Sequence, residues 1–227
     1  MRSRLHIDHL PIFCLRVLLL IPFVLALTDV SGVRCPIGDI LATNTTLPTP
    51  TYGTGNLTDP AVFTVCTEQD ISAPIALVYD TLLDFKSYHL WNSFVIEVVL
   101  PPNVVKTPED VYIGMSMNFT SQGLVPGQNS SSTEVIRILD PPSSSTCGET
   151  AVSAWGSNGG VPGLLAEHPN ALTQLEGPDG QDTVLTRYVS WETYYGAGAV
   201  ALEAIRPPLQ QQFVNQGSDL KRFVEGL

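Results

Sequence analysis

The sequence predicts an α+β fold with an antiparallel sheet, on two patterns of segment order and length. Strand-like segments follow one another through the middle of the chain, and helix-like segments are grouped near its two ends. Once an N-terminal leader is set aside, about 200 residues remain, enough for one core and too few for two comfortable domains.

The leader is residues 1–27. Arg2, Arg4 and Arg16 supply a basic start, and the apolar run VLLLIPFVLAL follows from Val17 to Leu27, with small residues at Val24 and Ala26. That is the pattern of a secretory signal peptide. Eleven apolar residues reach only about 16 Å as a helix, short of a hydrocarbon core of about 30 Å, so a membrane-spanning helix is disfavoured. Cleavage after Ala26 and after Gly32 are both open. Four Asn-X-Ser/Thr sequons, at Asn44, Asn56, Asn118 and Asn129, agree with export and N-glycosylation. Asn129 lies in a Gly/Ser/Pro-rich loop and is the favoured acceptor, whereas Asn118 falls within a predicted strand and needs an outward face.

Residues 28–60 are rich in Thr, Pro, Gly and Asn and read as an extended tail, so the globular part starts near Ala61. Residues 62–71 are rich in β-formers and read as the first strand. Ser72-Ala-Pro74 then looks like a helix start, with Ser as cap and Pro in the first turn. Ile75, Val78, Tyr79 and Leu82 fall at i, i+3, i+4 and i+7, one face of an amphipathic helix. A shorter helical turn follows and ends at Leu90-Trp91-Asn92. Strands are predicted at 94–100, 112–120, 133–139, 150–156, 171–176 and 183–195, separated by Pro/Gly/Ser loops. The last segment, Ala199 to Gly226, reads as a helix that Pro207-Pro208 should interrupt, because proline cannot donate the helical hydrogen bond.

Charge and cysteines exclude several roles. The whole chain has 11 Lys+Arg against 22 Asp+Glu; removing the leader leaves 8 and 21, a net charge of −13. A chain so acidic is repelled by nucleic-acid phosphates and by anionic membrane surfaces. With Cys14 in the leader, Cys35, Cys66 and Cys147 remain, so one disulfide and one leftover thiol are expected in an oxidising compartment. Three pairings are possible; Cys35 to Cys66, pinning the tail to the first strand, is slightly favoured. No metal-binding spacing, nucleophile elbow, phosphate loop or cofactor motif is present in the sequence.

Beyond this element order, local residues resemble the START-like (SRPBCC, helix-grip) superfamily. Ile71-Ser-Ala-Pro74, Val78-Tyr79, Leu82, Asp84-Phe85, Tyr88 and Trp91-Asn92 resemble its opening signature. Thr186-Arg187 with Glu192 and Gly196 resemble the run along its last strand, and Leu220-Lys221 with Glu225 resemble the end of its C-terminal helix. The resemblance covers roughly residues 62–227 and is closest to the polyketide cyclase/dehydrase-like and coenzyme-Q-binding-like branch. It implies a curved antiparallel sheet of about six or seven strands wrapped around a long C-terminal helix, with two short helices after the first strand. It also implies a cavity between sheet and helix for an apolar small molecule, held by a monomer without a cofactor. The leader, the glycosylated tail and the three mature cysteines depart from the family pattern.

Candidate chemistry rests on few residues. His168, in Glu167-His-Pro-Asn170 just before a predicted strand, is placed to exchange a proton; the favoured reading is a histidine that hydrogen-bonds a loop and stabilises the strand start. In the last strand, Thr186, Tyr188, Ser190, Glu192 and Tyr194 share one face and Arg187, Val189, Trp191 and Thr193 the other. With the first face inward, Glu192 becomes a desolvated acid or base; with the second inward, it is a solvated charge. Tyr88, Trp91 and Asn92 are set at the cavity mouth by the resemblance. Met115, Met117, Phe119, Trp155 and Tyr194 are candidate lining, and core packing explains the methionines and aromatics as well.

Beside a secreted surface-interaction protein whose cavity is vestigial, two functions follow. One is a secreted binding protein for a lipid, sterol or polyketide, without stable membrane insertion once the leader is removed. The other is a cofactor-free cyclase, dehydratase or isomerase using His168 and Glu192 for proton transfer. Converging polar groups deep in the cavity favour the enzyme, and a uniformly apolar cavity favours the carrier.

Overall fold

The computed structural model describes residues 32–51, 60–145, 148–157, 161–175 and 184–227. The expected leader, the sequon at Asn56 and Cys147 lie outside these residues. The chain order is α1 (Ile37–Thr43), β1 (Ala61–Ile71), α2 (Ile75–Leu83), α3 (Tyr88–Trp91), β2 (Val95–Val99) and β3 (Ser116–Val125). It continues through β4 (Gln128–Ser145), β5 (Gly148–Ser157), β6 (Leu165–Leu175), β7 (Leu185–Tyr195), α4 (Ala197–Leu202) and α5 (Arg206–Val224).

The seven strands form one sheet in the order β1-β7-β6-β5-β4-β3-β2, and every neighbouring pair is antiparallel. The first strand therefore pairs with the last, and the sheet curls around α5. This is a helix-grip α+β fold, as the resemblance implied. The long helix follows its own apolar stripe: Leu209, Phe213, Leu220 and Val224 are all buried. Each large aliphatic or aromatic side chain removed from water in this way contributes about 1.5–3 kcal/mol.

In α2 the stripe Ile75, Val78, Tyr79 and Leu82 is buried as its spacing predicts. Its start differs. Pro74, not Ser72, is the N-cap, and no side chain of its own caps the helix. Instead the Ile75 N–H donates to Oε1 of Gln174 on β6 at 3.0 Å, and the Ser72 N–H donates to Glu225 Oε1 at 2.8 Å. An orphan donor of the first turn and a backbone N–H just before the helix are thus satisfied by distant elements that only the folded chain brings near.

The predicted proline interruption is present but sits earlier. A 3-10 turn at Glu203–Ile205 separates α4 from α5, and the prolines occupy the first turn of α5. There a missing N–H breaks nothing, because first-turn N–H groups have no helical partner. Strand β6 begins at Leu165, six residues before the predicted 171, and so contains His168 and Pro169. Its ladder to β7 runs from Glu167 opposite Thr193 to Asn170 opposite Ser190, and the register passes over positions 168 and 169 on that side. Pro169 cannot donate to a ladder, which is why the segment reads as a loop in sequence.

Residues 32–51 are not an extended tail. They form a strap containing α1 that lies on the convex face of the sheet. Ile40 is fully buried there with Cys66, Val152, Ala171, Val189 and Trp191. A disulfide joins Cys35 to Cys66. The Leu47 N–H donates to Thr64 Oγ1, the Thr193 hydroxyl donates to the Leu47 carbonyl, and Trp191 Nε1–H donates to the Pro48 carbonyl. A Thr/Pro-rich segment cannot form a core alone, but its backbone is satisfied by side chains on β1 and β7.

Candidate functional site

Between the concave face and α5 lies a cavity of about 360 Å³. Phe94, Phe119, Trp155, Ala166 and Leu209 make an apolar wall; Ser121, Ser130, Ser131, Ser132 and Ser157 add hydroxyls; Val161, Leu164, Leu202 and Ile205 come from the β5–β6 loop and the α4–α5 junction. Five further polar groups line the cavity: Glu134, His168, Glu192, Tyr194 and Gln216.

Strand β7 presents Glu192 and Tyr194 inward, so the first of the two faces lines the cavity. Alternation could not decide this because both faces are buried. The outward Val189 and Trp191 are covered by the strap and are as apolar as a core-facing row. Tyr194 stacks on Phe63 with ring centroids 4.5 Å apart and donates its hydroxyl to Glu192 Oε2 at 2.6 Å. Glu134, from β4, is 5% exposed, and its Oε2 has no hydrogen-bond partner. Burial and the charge of Glu192 push the Glu134 carboxyl up to about 8, while burial pushes Glu192 up to about 7. The two carboxyls thus share a tendency to hold a proton near neutrality.

His168 lines the same cavity. Its Nε2 is 2.7 Å from Ser190 Oγ, and its ring lies 4.7 Å from Trp155 and 4.8 Å from Phe213, centroid to centroid. Burial lowers its pKa to about 3, so the imidazole is neutral. It is a buried neutral hydrogen-bonding group with no proton to give as an imidazolium.

Of the other sequence-derived positions, Tyr88, Phe119, Trp155 and Tyr194 line the cavity. Tyr88 presents only its ring, since its hydroxyl donates to the Leu82 carbonyl at 2.7 Å. Trp91, Asn92, Met115 and Met117 are not among the lining residues. Trp91 packs edge-on against Tyr88 and stacks near Phe223. The Asn92 side-chain oxygen accepts the N–H groups of Phe94 and Val95 and so shapes the entry to β2. Met115 and Met117 are fully buried core side chains.

Sequence reasoning missed Glu134 and Gln216. Gln216 is legible in retrospect as the polar member of the Leu209, Phe213, Leu220 face of α5. Glu134 is not, because the β4–β5 register shifts between Ile136 and Ile138 and scrambles the alternation around it. Asn44, Asn118 and Asn129 are exposed, and Asn129 lies at the start of β4 rather than in a loop. Among the described residues there is no cluster of three His, Cys, Asp or Glu able to hold a metal ion, and no helix long and apolar enough to cross a membrane.

No protein-family model matches the chain, and no curated protein matches it. Solved structures do resemble it. A norcoclaurine synthase point mutant from Thalictrum flavum, in complex with a transition-state analogue, is 11% identical with a TM-score of 0.47, covering 74% of this chain and 96% of its own. The protein TTHA0849 from Thermus thermophilus is 15% identical with a TM-score of 0.46, covering 72% of this chain and 97% of its own.

Proposed function

We propose that this protein is a secreted binding protein that holds one apolar small molecule (a lipid, sterol or polyketide) in the cavity between the sheet and α5. The cavity carries this reading: about 360 Å³, walled by aromatic and aliphatic side chains, with polar groups gathered where they can orient a ligand. That volume is at the lower end of the roughly 300–1,000 Å³ of small-molecule sites, which suits one compact molecule better than a two-tailed lipid. Export is supported by the leader and by sequons at exposed Asn44, Asn118 and Asn129.

The test is to purify the protein from the culture medium and identify co-purifying molecules by native mass spectrometry. A defined apolar ligand in stoichiometric amount is expected. Empty protein that takes up nothing from lipid and polyketide panels would overturn the reading.

A second reading, a cofactor-free cyclase, dehydratase or isomerase, is favoured by one observation. Glu134 and Glu192 are carboxyls held close to the protonation point at neutral pH, as a general acid–base pair requires. In that reading Glu192 and Glu134 transfer the proton and neutral His168 positions the substrate. Absence of turnover for every bound candidate ligand would exclude this reading, and turnover that persists in the Glu192→Gln variant would exclude the role given to Glu192.

A further inference from the structure

Three polar side chains at the cavity, Glu134, Glu192 and Gln216, present acceptor oxygens. Glu134 Oε2 is buried without a partner, and so is Oε1 of Gln216, a residue 2% exposed. Glu192 receives the Tyr194 hydroxyl. All three offer acceptor oxygens; Ser132 bonds the Glu134 carboxyl, and among the described residues no lysine or arginine lines the cavity to answer them. Buried acceptors and buried negative charge are both costly when left unmatched.

We propose that the cavity selects an amphipathic primary amine, its ammonium group bound among Glu134, Glu192 and Gln216 and its apolar body lying against Phe119 and Trp155. This rests on the small-molecule reading above and narrows it to one ligand class. An ammonium offers three N–H donors and no acceptor, which matches three acceptor side chains. Its positive charge takes the place of the proton that Glu134 and Glu192 otherwise hold near neutrality. An alcohol offers one donor and no charge, so it satisfies one oxygen and leaves the others bare. A carboxylate or phosphate ligand brings further acceptors and a negative charge that nothing on the lining can answer.

The mouth is compatible with such a ligand. The serines 130–132 on β4 and Ser157 on β5 line the cavity beside Glu134, so a cation entering there meets hydroxyls and, among the described residues, no lysine or arginine on the lining. Arg137, on the same strand as Glu134, acts on its charge without lining the cavity.

The experiment is a titration of the full secreted chain with saturated amines from hexyl to tetradecyl, followed by tryptophan fluorescence near neutral pH. The matched alcohols and carboxylic acids are titrated in parallel. The best amine is expected to bind at least about tenfold more tightly than its alcohol, with the acid weakest. In Glu134→Gln and Glu192→Gln that preference is expected to vanish while alcohol affinity is kept. Equal binding of amine and alcohol to the unaltered protein overturns the amine proposal and leaves the small-molecule reading standing. Binding of no chain of any head group overturns both. The comparison within the unaltered protein needs no variant to fold.

Discussion

Tyr194 donates its hydroxyl proton to Glu192, two residues back on the same strand, at 2.6 Å, while its ring is fixed by stacking on Phe63. A phenol is thus locked in place as the protein's own donor to a half-buried carboxyl group. Replacing it in Tyr194→Phe keeps the stack and deletes the donor. Stability is expected to fall by about 1.5–3 kcal/mol at neutral pH, read from chemical denaturation. A loss of under about half a kilocalorie would mean that Glu192 does not depend on this bond.

Stability should pass through a maximum on the acid side of neutrality. Glu134 and Glu192 have folded pKa values above their ordinary 4.5, so their contribution is fully present below that value and is lost as pH rises through about 7–8. His168 is shifted the other way, from 6.5 to about 3, so stability is lost as pH falls below 6.5 and the unfolded state takes up the proton. The groups that act on the pair in the other direction are Ser132, which hydrogen-bonds Glu134, Arg137 on β4, and Tyr194 on β7. In Glu134→Gln the alkaline limb of a denaturation–pH series is expected to flatten by at least about 1 kcal/mol, and the acid limb to remain.

The disulfide between Cys35 and Cys66 spans 31 residues of sequence. Cys35→Ser is expected to lose about 3–4 kcal/mol, the chain-entropy value for a loop of that length. Hydrogen exchange should then rise first at Val189 and Trp191, which the strap covers.

Strand β1 is an edge, and Gln210 from α5 closes part of it. Its side-chain Oε1 accepts the Cys66 N–H at 3.1 Å and its Nε2 donates to the Cys66 carbonyl at 2.8 Å. Gln210→Leu leaves both backbone groups without a partner. A loss of about 1–3 kcal/mol is expected, with light scattering showing greater self-association through the opened edge.

The fold was legible because its cues are local and repeated. The i, i+3, i+4, i+7 stripe of α2 and the long β-rich run up to Tyr195 both survive in the structure with small changes of boundary. What sequence could not give came from tertiary partners. Gln174 caps α2 from a strand about a hundred residues away, and Pro169 hides the start of β6. The site was half legible: His168, Glu192 and Tyr194 lie on inward strand positions. Glu134 was concealed by a register shift, and the two faces of β7 looked alike because the strap makes both of them interior.

That strap has a consequence for how the chain assembles. Its partners are Thr64 and Glu68 on β1, Glu167 on β6, Trp191, Thr193 and Tyr195 on β7, and Arg206 at the start of α5. The segment that is synthesised early therefore finds most of its partners only once the final strand and helix have been made. Loss of the last quarter of the chain would undo order at the beginning as well as at the end, so the protein can be finished only all at once.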